Sequence, residues 1–269
     1  RPRFDPIIVH VADFDCVRRI VKEFPREIKR ITDRFWPGPL TVIFEKNEKI
    51  PDIVTAGLPT VGIRMPSHPV AKKLIQSFKR PIAAPSANPF GYVSPTRASH
   101  VAKLLKDKIP LVIDGGDPSF GIESTVISVR DAKIYVYRLG AVTVEELSEF
   151  GEVVVVNPEN KKHLSPGQLP YHYAPNKPLK IIGSVNEIGN PSCSFLAFME
   201  PKDRVNAKYV RVLTKTGDLR EAASNFFSFL IELDRDDVEI IYAEKVPEAG
   251  LGRAIMERLK KAEKRTLAT

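Results

Sequence analysis

The sequence predicts an α/β protein in two domains. Short apolar, β-branched runs at 7–11, 40–44 and 179–182 alternate with stretches read as helices, at 14–24 and 69–78 from apolar residues at helical spacing and again at 218–233. The alternation breaks once, over a proline-containing stretch at 157–178, and then restarts. A chain of 269 residues with 43% hydrophobic content has room for two cores.

The elements follow in order. Residues 7–11 read as a buried strand. Phe14, Val17, Ile20, Val21 and Phe24 form a helical stripe with Asp13 as its N-cap, and a second helix runs over 25–34 with Pro25 in its first turn. Trp36-Pro37-Gly38-Pro39 is a rigid turn, anchored by the only tryptophan, that leads into strand 40–44. Residues 62–66 end another strand. Pro69 opens a helix to 78 with Val70, Leu74, Ile75 and Phe78 on one stripe, and 81–84 is a short strand. A helix is expected over 95–106 behind Ser94, a strand at 111–113, and a hairpin from 124–129 and 134–137 joined at Asp131 and Ala132. A helix over 142–150 and a strand at 153–156 close the first domain. The second has strands at 179–182, 195–198, 209–213 and 238–242 and helices at 218–233 and 252–262, a pattern for a small parallel or mixed sheet. The division is 1–156, a linker at 157–178, and 179–269. A loop as long as the linker is functional or disordered, and its aromatic and small residues suit packing rather than solvation.

Charge narrows the ligand. Residues 179–269 carry 15 basic and 14 acidic side chains, while the preceding part carries 26 and 19, so seven of the eight net positive charges lie there. Nucleotide phosphates, RNA, or simply a solvated basic surface all suit that balance. Cys16 and Cys193 are isolated and have no metal-like spacing, which suggests a reducing compartment. The histidines form no ligand cluster, and no apolar run is long enough for a membrane span.

The stretch 83–91, Ala-Ala-Pro-Ser-Ala-Asn-Pro-Phe-Gly, leaves a strand between two prolines and closes on a glycine. Prolines bias the residues before them toward extended geometry. Ser86 and Asn88 can bond their own backbone in such a turn. The C-terminal end of a strand in an open α/β sheet is also where ligands bind. The phosphate-loop, full dinucleotide-loop, nucleophile-elbow and His-Glu-x-x-His patterns are absent, so those machines are not in use.

Several pieces, in order, resemble one family over nearly the whole chain. They are Arg1-Pro2 with Pro6-Ile7-Ile8-Val9-His10-Val11, Trp36-Pro37-Gly38-Pro39-Leu40-Thr41, Val61-Gly62-Ile63-Arg64-Met65-Pro66, Ala84-Pro85-Ser86-Ala87-Asn88, and Gly121-Ile122-Glu123-Ser124-Thr125-Val126. Arg138-Leu139-Gly140-Ala141, Ser165-Pro166-Gly167 with His172-Tyr173-Ala174-Pro175, and Gly250-Leu251-Gly252-Arg253-Ala254-Ile255 complete the set. The family is the threonylcarbamoyl-AMP synthases, the long form of the YrdC-like superfamily. The resemblance implies an open twisted mixed sheet, followed by a smaller Rossmann-like α/β domain. It also implies a reaction in which L-threonine and bicarbonate form N-carboxy-threonine, which attacks the α-phosphate of ATP to give threonylcarbamoyl-AMP and pyrophosphate.

Such a reaction needs no covalent nucleophile from the protein. It needs groups that gather anions and neutralise developing charge. The resemblance puts Arg1, Ser86, Asn88 and Arg138 on the nucleotide, Arg64 and Ser124 on the threonine or acyl portion, and Tyr173 in a linker lid over the pocket. His10 and His68 are read as structural. Mg2+ is expected on the ATP phosphates with no metal site from the protein, and no organic cofactor is expected. The expected partners are ATP, L-threonine, bicarbonate and a transferase that carries the threonylcarbamoyl group to the adenosine beside the anticodon of tRNA; no membrane is involved and the expected location is the cytoplasm. The alternative is a double-stranded RNA or tRNA-binding module of the same fold without turnover. The family's lysine of the Lys-x-Arg pair and its Pro-Thr-Glu-Thr-Val-Tyr-Gly-Leu strand are expected ahead of Arg1, so the first domain is read as lacking its first strands. Relatives have Met and Arg in the linker where Gln168 and Tyr171 stand here.

Overall fold

A computed structural model describes residues 2–156 and 172–267, with side chains to 265. Arg1 and most of the linker, including Ser165-Pro166-Gly167, Gln168 and Tyr171, lie outside the described residues. By contact, the described chain forms two compact units. One holds residues 2–85 and 123–156, the other 86–122 and 172–267. Residues 86–122, which precede the linker in sequence, therefore group with the C-terminal part.

The first unit is built on a seven-stranded mixed sheet in the order β4-β1-β3-β2-β5-β6-β7. The strands are β1 (Val9–His10), β2 (Leu40–Glu45), β3 (Thr60–Arg64), β4 (Ile82–Ala83), β5 (Thr125–Arg130), β6 (Lys133–Arg138) and β7 (Glu152–Val155). Strands β1 and β3, β2 and β5, and β6 and β7 pair in parallel, and the remaining neighbours are antiparallel. The expected hairpin forms: Asp131 and Ala132 take φ of 50° and 57°, the left-handed pair that a tight two-residue turn needs.

One face of this sheet carries the core. Val9, Leu40, Val42, Phe44, Val61, Ile63, Ile127, Ile134 and Val136 point to it and pack with Val17, Ile20, Ile28, Ile31 and Trp36. Those last residues come from α1 (Phe14–Ile20), α2 (Arg26–Phe35) and the turn that follows. Asp13 caps α1, its Oδ1 accepting from the Cys16 amide at 2.7 Å. The helix stops at Ile20 rather than near Phe24 because Val21 turns extended and bridges to Lys46. Pro25 stands at the N-cap of α2 instead of inside its first turn. A short helix, α3 (Asp52–Thr55), was not expected from the apolar pattern; α4 (Pro69–Phe78) follows its predicted span. Helix α6 (Val144–Ser148) starts at a capping box formed by Thr143 and Glu146.

The second unit contains a four-stranded all-parallel sheet in the order β10-β9-β11-β8. Its strands are β8 (Leu179–Ile182), β9 (Cys193–Ala197), β10 (Tyr209–Val212) and β11 (Ile240–Glu244). Helix α7 (Leu219–Leu233) is capped by Asp218 and α8 (Leu251–Leu267) follows β11. Helix α5 (Ala98–Leu105) also belongs here, with Arg97 rather than Ser94 at its N-cap. The strand expected at 111–113 does not form: Leu111 and Ile113 are exposed and no strand pairs with them among the described residues. Gly121 explains how 86–122 joins this unit. A Cβ there would lie 2.1 Å from the Ser224 carbonyl oxygen, so the chain passes against α7 at a distance only glycine allows. Cys16 and Cys193 are free, buried thiols.

Candidate active site

Strand pairing builds the site. Along a β-strand successive side chains alternate between faces, and residues in register across neighbouring strands share one. His10 pairs with Arg64, Arg64 with Thr41, Thr41 with Val126, and Val126 with Arg138. This transverse row runs across β1, β3, β2, β5 and β6. It lies on the face opposite the core, since Ile63, Leu40 and Val42 alternate with Arg64 and Thr41. Motifs scattered along the sequence thus bring His10, Arg64, Thr41 and Arg138 into one row, with Val126 between the last two.

Ser124 stands one residue before β5 and joins the row through two partners. Its Oγ lies 2.8 Å from Thr41 Oγ1. Arg138 closes on it from the other side, with Nε and Nη2 donating to the Ser124 carbonyl oxygen at 3.0 and 2.8 Å and Nη2 also donating to Oγ at 3.0 Å. All three residues are buried. Gly140 makes the closure possible: a Cβ there would sit 2.4 Å from Glu123 O and 2.5 Å from the Ser124 carbonyl carbon.

Arg64 is aimed by the Trp-Pro-Gly-Pro turn. Its Nε donates to Gly38 O at 3.0 Å, and the Gly38 amide in turn donates to Met65 O at 2.8 Å. Trp36 is packed in the core and ties the turn to β2 through Nε1 to Leu40 O at 2.8 Å. The Thr125 amide donates to Pro39 O at 3.0 Å, so the same turn also holds the chain beside Ser124. The sequence reading gave this turn a purely structural role. In fact its carbonyls orient one cation of the site and seat the serine.

The electrostatics are those of an anion site. Among the described residues no carboxylate pairs with Arg64. Burial, and then the Arg138 charge, push the Arg64 guanidinium down to about 10, so it stays cationic at neutral pH at an energetic cost. His10, beside it, is lowered to about 4 by burial and then by Arg64, and is neutral at physiological pH. Two guanidinium groups and two hydroxyls on one sheet face match carboxylate and phosphate oxygens. They offer no set of ligands for a cation, and no group of three or more His, Cys, Asp or Glu suited to a metal occurs among the described residues.

The second unit holds the Ser-x-Asn turn. Ser86 is exposed and Asn88 buried. Asn88 Nδ2 donates to Pro89 O at 3.2 Å and Tyr92 O at 2.8 Å, which is the self-bonded turn the sequence suggested. Tyr173, read as part of a lid, is buried within this unit. Its ring stacks on Phe227 at 5.7 Å, meets His172 at 4.2 Å and lies under the Arg258 guanidinium at 5.2 Å. Tyr173 thus anchors the end of the linker on α7 and α8. Of the residues singled out in the sequence, Arg64, Ser124 and Arg138 are brought together, Ser86 and Asn88 share a turn in the other unit, and Arg1 lies outside the described residues. Thr41 and His10 stand in register with Arg64 but were not among the site residues read from the sequence, His10 being read as structural. Thr41 closes the Trp-Pro-Gly-Pro-Leu-Thr motif, and its place beside Ser124 could be seen only once β2 and β5 were known to pair.

Comparison with known proteins gives the fold and this site a family. Residues 1–140 match the Sua5–YciO–YrdC family model described as "Telomere recombination", and residues 142–263 match the model described as "Threonylcarbamoyl-AMP synthase, C-terminal domain". The threonylcarbamoyl-AMP synthase of Pyrococcus abyssi is 39% identical over 277 residues, which covers 97% of this chain and 81% of that protein. The threonylcarbamoyl-AMP synthase of Bacillus subtilis is 39% identical as well, over 97% of this chain and 80% of its own length. The crystal structure of P. abyssi Sua5 complexed with L-threonine matches with a TM-score of 0.88 at 35% identity, covering 99% of this chain and 82% of that one. A mixed sheet with a basic, hydroxyl-lined face and a second unit with a parallel sheet make this a two-module α/β protein. The chain belongs to the threonylcarbamoyl-AMP synthase family.

Proposed function

We propose that this protein makes threonylcarbamoyl-AMP from L-threonine, bicarbonate and Mg-ATP. The threonine amine adds to bicarbonate and water leaves, giving N-carboxy-threonine. A carbamate oxygen then attacks the α-phosphorus of ATP, and pyrophosphate departs with the bridging oxygen's electrons. Magnesium enters as part of the Mg-ATP substrate. The product serves a transferase that modifies the adenosine beside the anticodon of tRNA.

The observation that carries this reading is the Arg64–Thr41–Ser124–Arg138 row, in a chain belonging to this family. Every reactant is an anion or becomes one, and the nucleophile arises from the substrates themselves. The protein's task is to gather and orient them and to neutralise charge in a partly dry site. Arg64 and the Ser124 and Thr41 hydroxyls suit the threonine carboxylate and carbamate. Arg138 and the Ser86–Asn88 turn suit the nucleotide.

The test is pyrophosphate release by the full-length gene product with Mg-ATP and bicarbonate, with and without L-threonine. Threonine-dependent release that falls in Ser124→Ala and in Ser86→Ala supports the reading and the part each serine plays in it. RNA binding with a steep salt dependence and no release would replace it with a binding module.

A further inference from the structure

We infer that Asp234 is a positioning residue for the nucleotide, which holds the Ser86–Asn88 turn and the end of the linker in one arrangement. The inference rests on the reading of that turn as part of the nucleotide site.

Asp234 is the C-cap of α7. A carboxylate there faces the negative end of the helix dipole, which disfavours it. Four donors hold it in place. Tyr92 Oη donates to Oδ2 at 2.6 Å, the Asn176 amide and Nδ2 donate to Oδ2 at 2.9 Å each, and the Lys177 amide donates to Oδ1 at 3.0 Å. Two separate segments therefore converge on one side chain. Tyr92 closes the Ser-x-Asn turn, because its carbonyl accepts from Asn88 Nδ2. Asn176 and Lys177 end the linker.

The two segments also touch each other. The Ala174 amide donates to Gly91 O at 3.0 Å, and the rings of Phe90 and His172 meet edge to face at 5.9 Å. Tyr92 is buried, and burial together with Asp234 keeps its phenol protonated, as the donor in this bond must be. A change at Asp234 would thus release the turn and the linker end together. The donors lie on loops, and removal of the Tyr92 hydroxyl alone leaves its buried ring in place.

The experiment measures KM for ATP and for L-threonine separately in threonine-dependent pyrophosphate release, along with the thermal midpoint. Tyr92→Phe, Asp234→Asn and Ser86→Ala are compared with the parent. Tyr92→Phe removes only the hydroxyl. Loss of a hydrogen bond to a charged group predicts a rise in ATP KM of about tenfold, with threonine KM within about twofold and an unchanged fold. Asp234→Asn, which weakens both sets of bonds, is expected to do more. If Ser86→Ala raises ATP KM but both other variants leave it within about twofold, the positioning role is overturned and the nucleotide reading survives. A drop in kcat alone, in proportion to lost folded protein, overturns it too. If Ser86→Ala leaves ATP KM unchanged, the nucleotide reading of the turn fails first. Should Asp234→Asn not fold, Tyr92→Phe decides.

Discussion

Arg138 turns its guanidinium back onto Ser124, binding both its carbonyl oxygen and its hydroxyl. The serine is therefore held from its backbone and from its side chain by the same buried cation. Ser124→Ala removes the Oγ contacts and leaves the two bonds to the carbonyl. The protein should fold with a midpoint a few degrees below the parent, because the buried Thr41 hydroxyl loses its partner, while kcat/KM for threonine falls by about tenfold to a hundredfold. Arg138→Leu is a different experiment. It leaves the buried Ser124 carbonyl without its donor, at a cost of about 1–3 kcal/mol in unfolding free energy as well as the loss of activity.

Arg64 and Arg138 repel across the row, and Arg64 carries the cost of burial with no carboxylate partner among the described residues. Replacing a poorly compensated buried cation by an apolar residue of similar length is often neutral or stabilising. Arg64→Met relieves that cost but leaves the Gly38 carbonyl without its donor, so the unfolding free energy should stay within about 1 kcal/mol of the parent while most threonine-dependent pyrophosphate release is lost. A variant that loses stability and activity together would show that Arg64 serves the fold and not the site.

The pH dependence follows from His10. The unfolded chain takes up this proton near the ordinary 6.5, and the folded protein only near 4. Between those values the unfolded state binds more protons, so stability falls as pH drops through the window and is complete above it. The contribution is at most about 3 kcal/mol. Urea unfolding of the parent and of His10→Gln at several pH values in this window should give a shallower pH slope for the variant. Equal slopes would assign the acid sensitivity to another group.

Two glycines separate close approach from backbone strain. At Gly140 a methyl group would collide with the backbone of residues 123–125, so Gly140→Ala should cost about 3 kcal/mol or more and disturb the Arg138–Ser124 contact. At Gly57 nothing lies within 4 Å, and only the positive φ of 77° opposes a side chain. Gly57→Ala should cost about 1 kcal/mol with activity intact. Thermal melting of both variants tests the contrast.

Much of the fold was legible locally. Asp13 caps the helix whose stripe announced it, Asp218 caps the helix expected from that residue onward, and the Asp131-Ala132 turn appeared between two β-branched runs. The misses have local causes as well. Helix α1 ends early because a distant strand captures Val21, and α3 is too short to show a period. The apolar residues at 111–113 suggested a strand but pair with none.

The sequence by itself determined where the candidate site residues stand and in what order they come: Arg64 at a strand end, Ser124 before a strand, Arg138 at the end of its hairpin partner, and Ser86 and Asn88 in a proline-bracketed turn. Tertiary structure alone decided that Thr41 and His10 stand in the same row, that the Trp-Pro-Gly-Pro turn aims Arg64, and that 86–122 packs with the C-terminal part. The reason is physical. Helix stripes and caps depend on neighbours within four residues, and those are written along the chain. Strand register and order depend on pairing between segments up to about eighty residues apart, such as Thr41 with Ser124, and any one strand reads the same whichever neighbour it will meet.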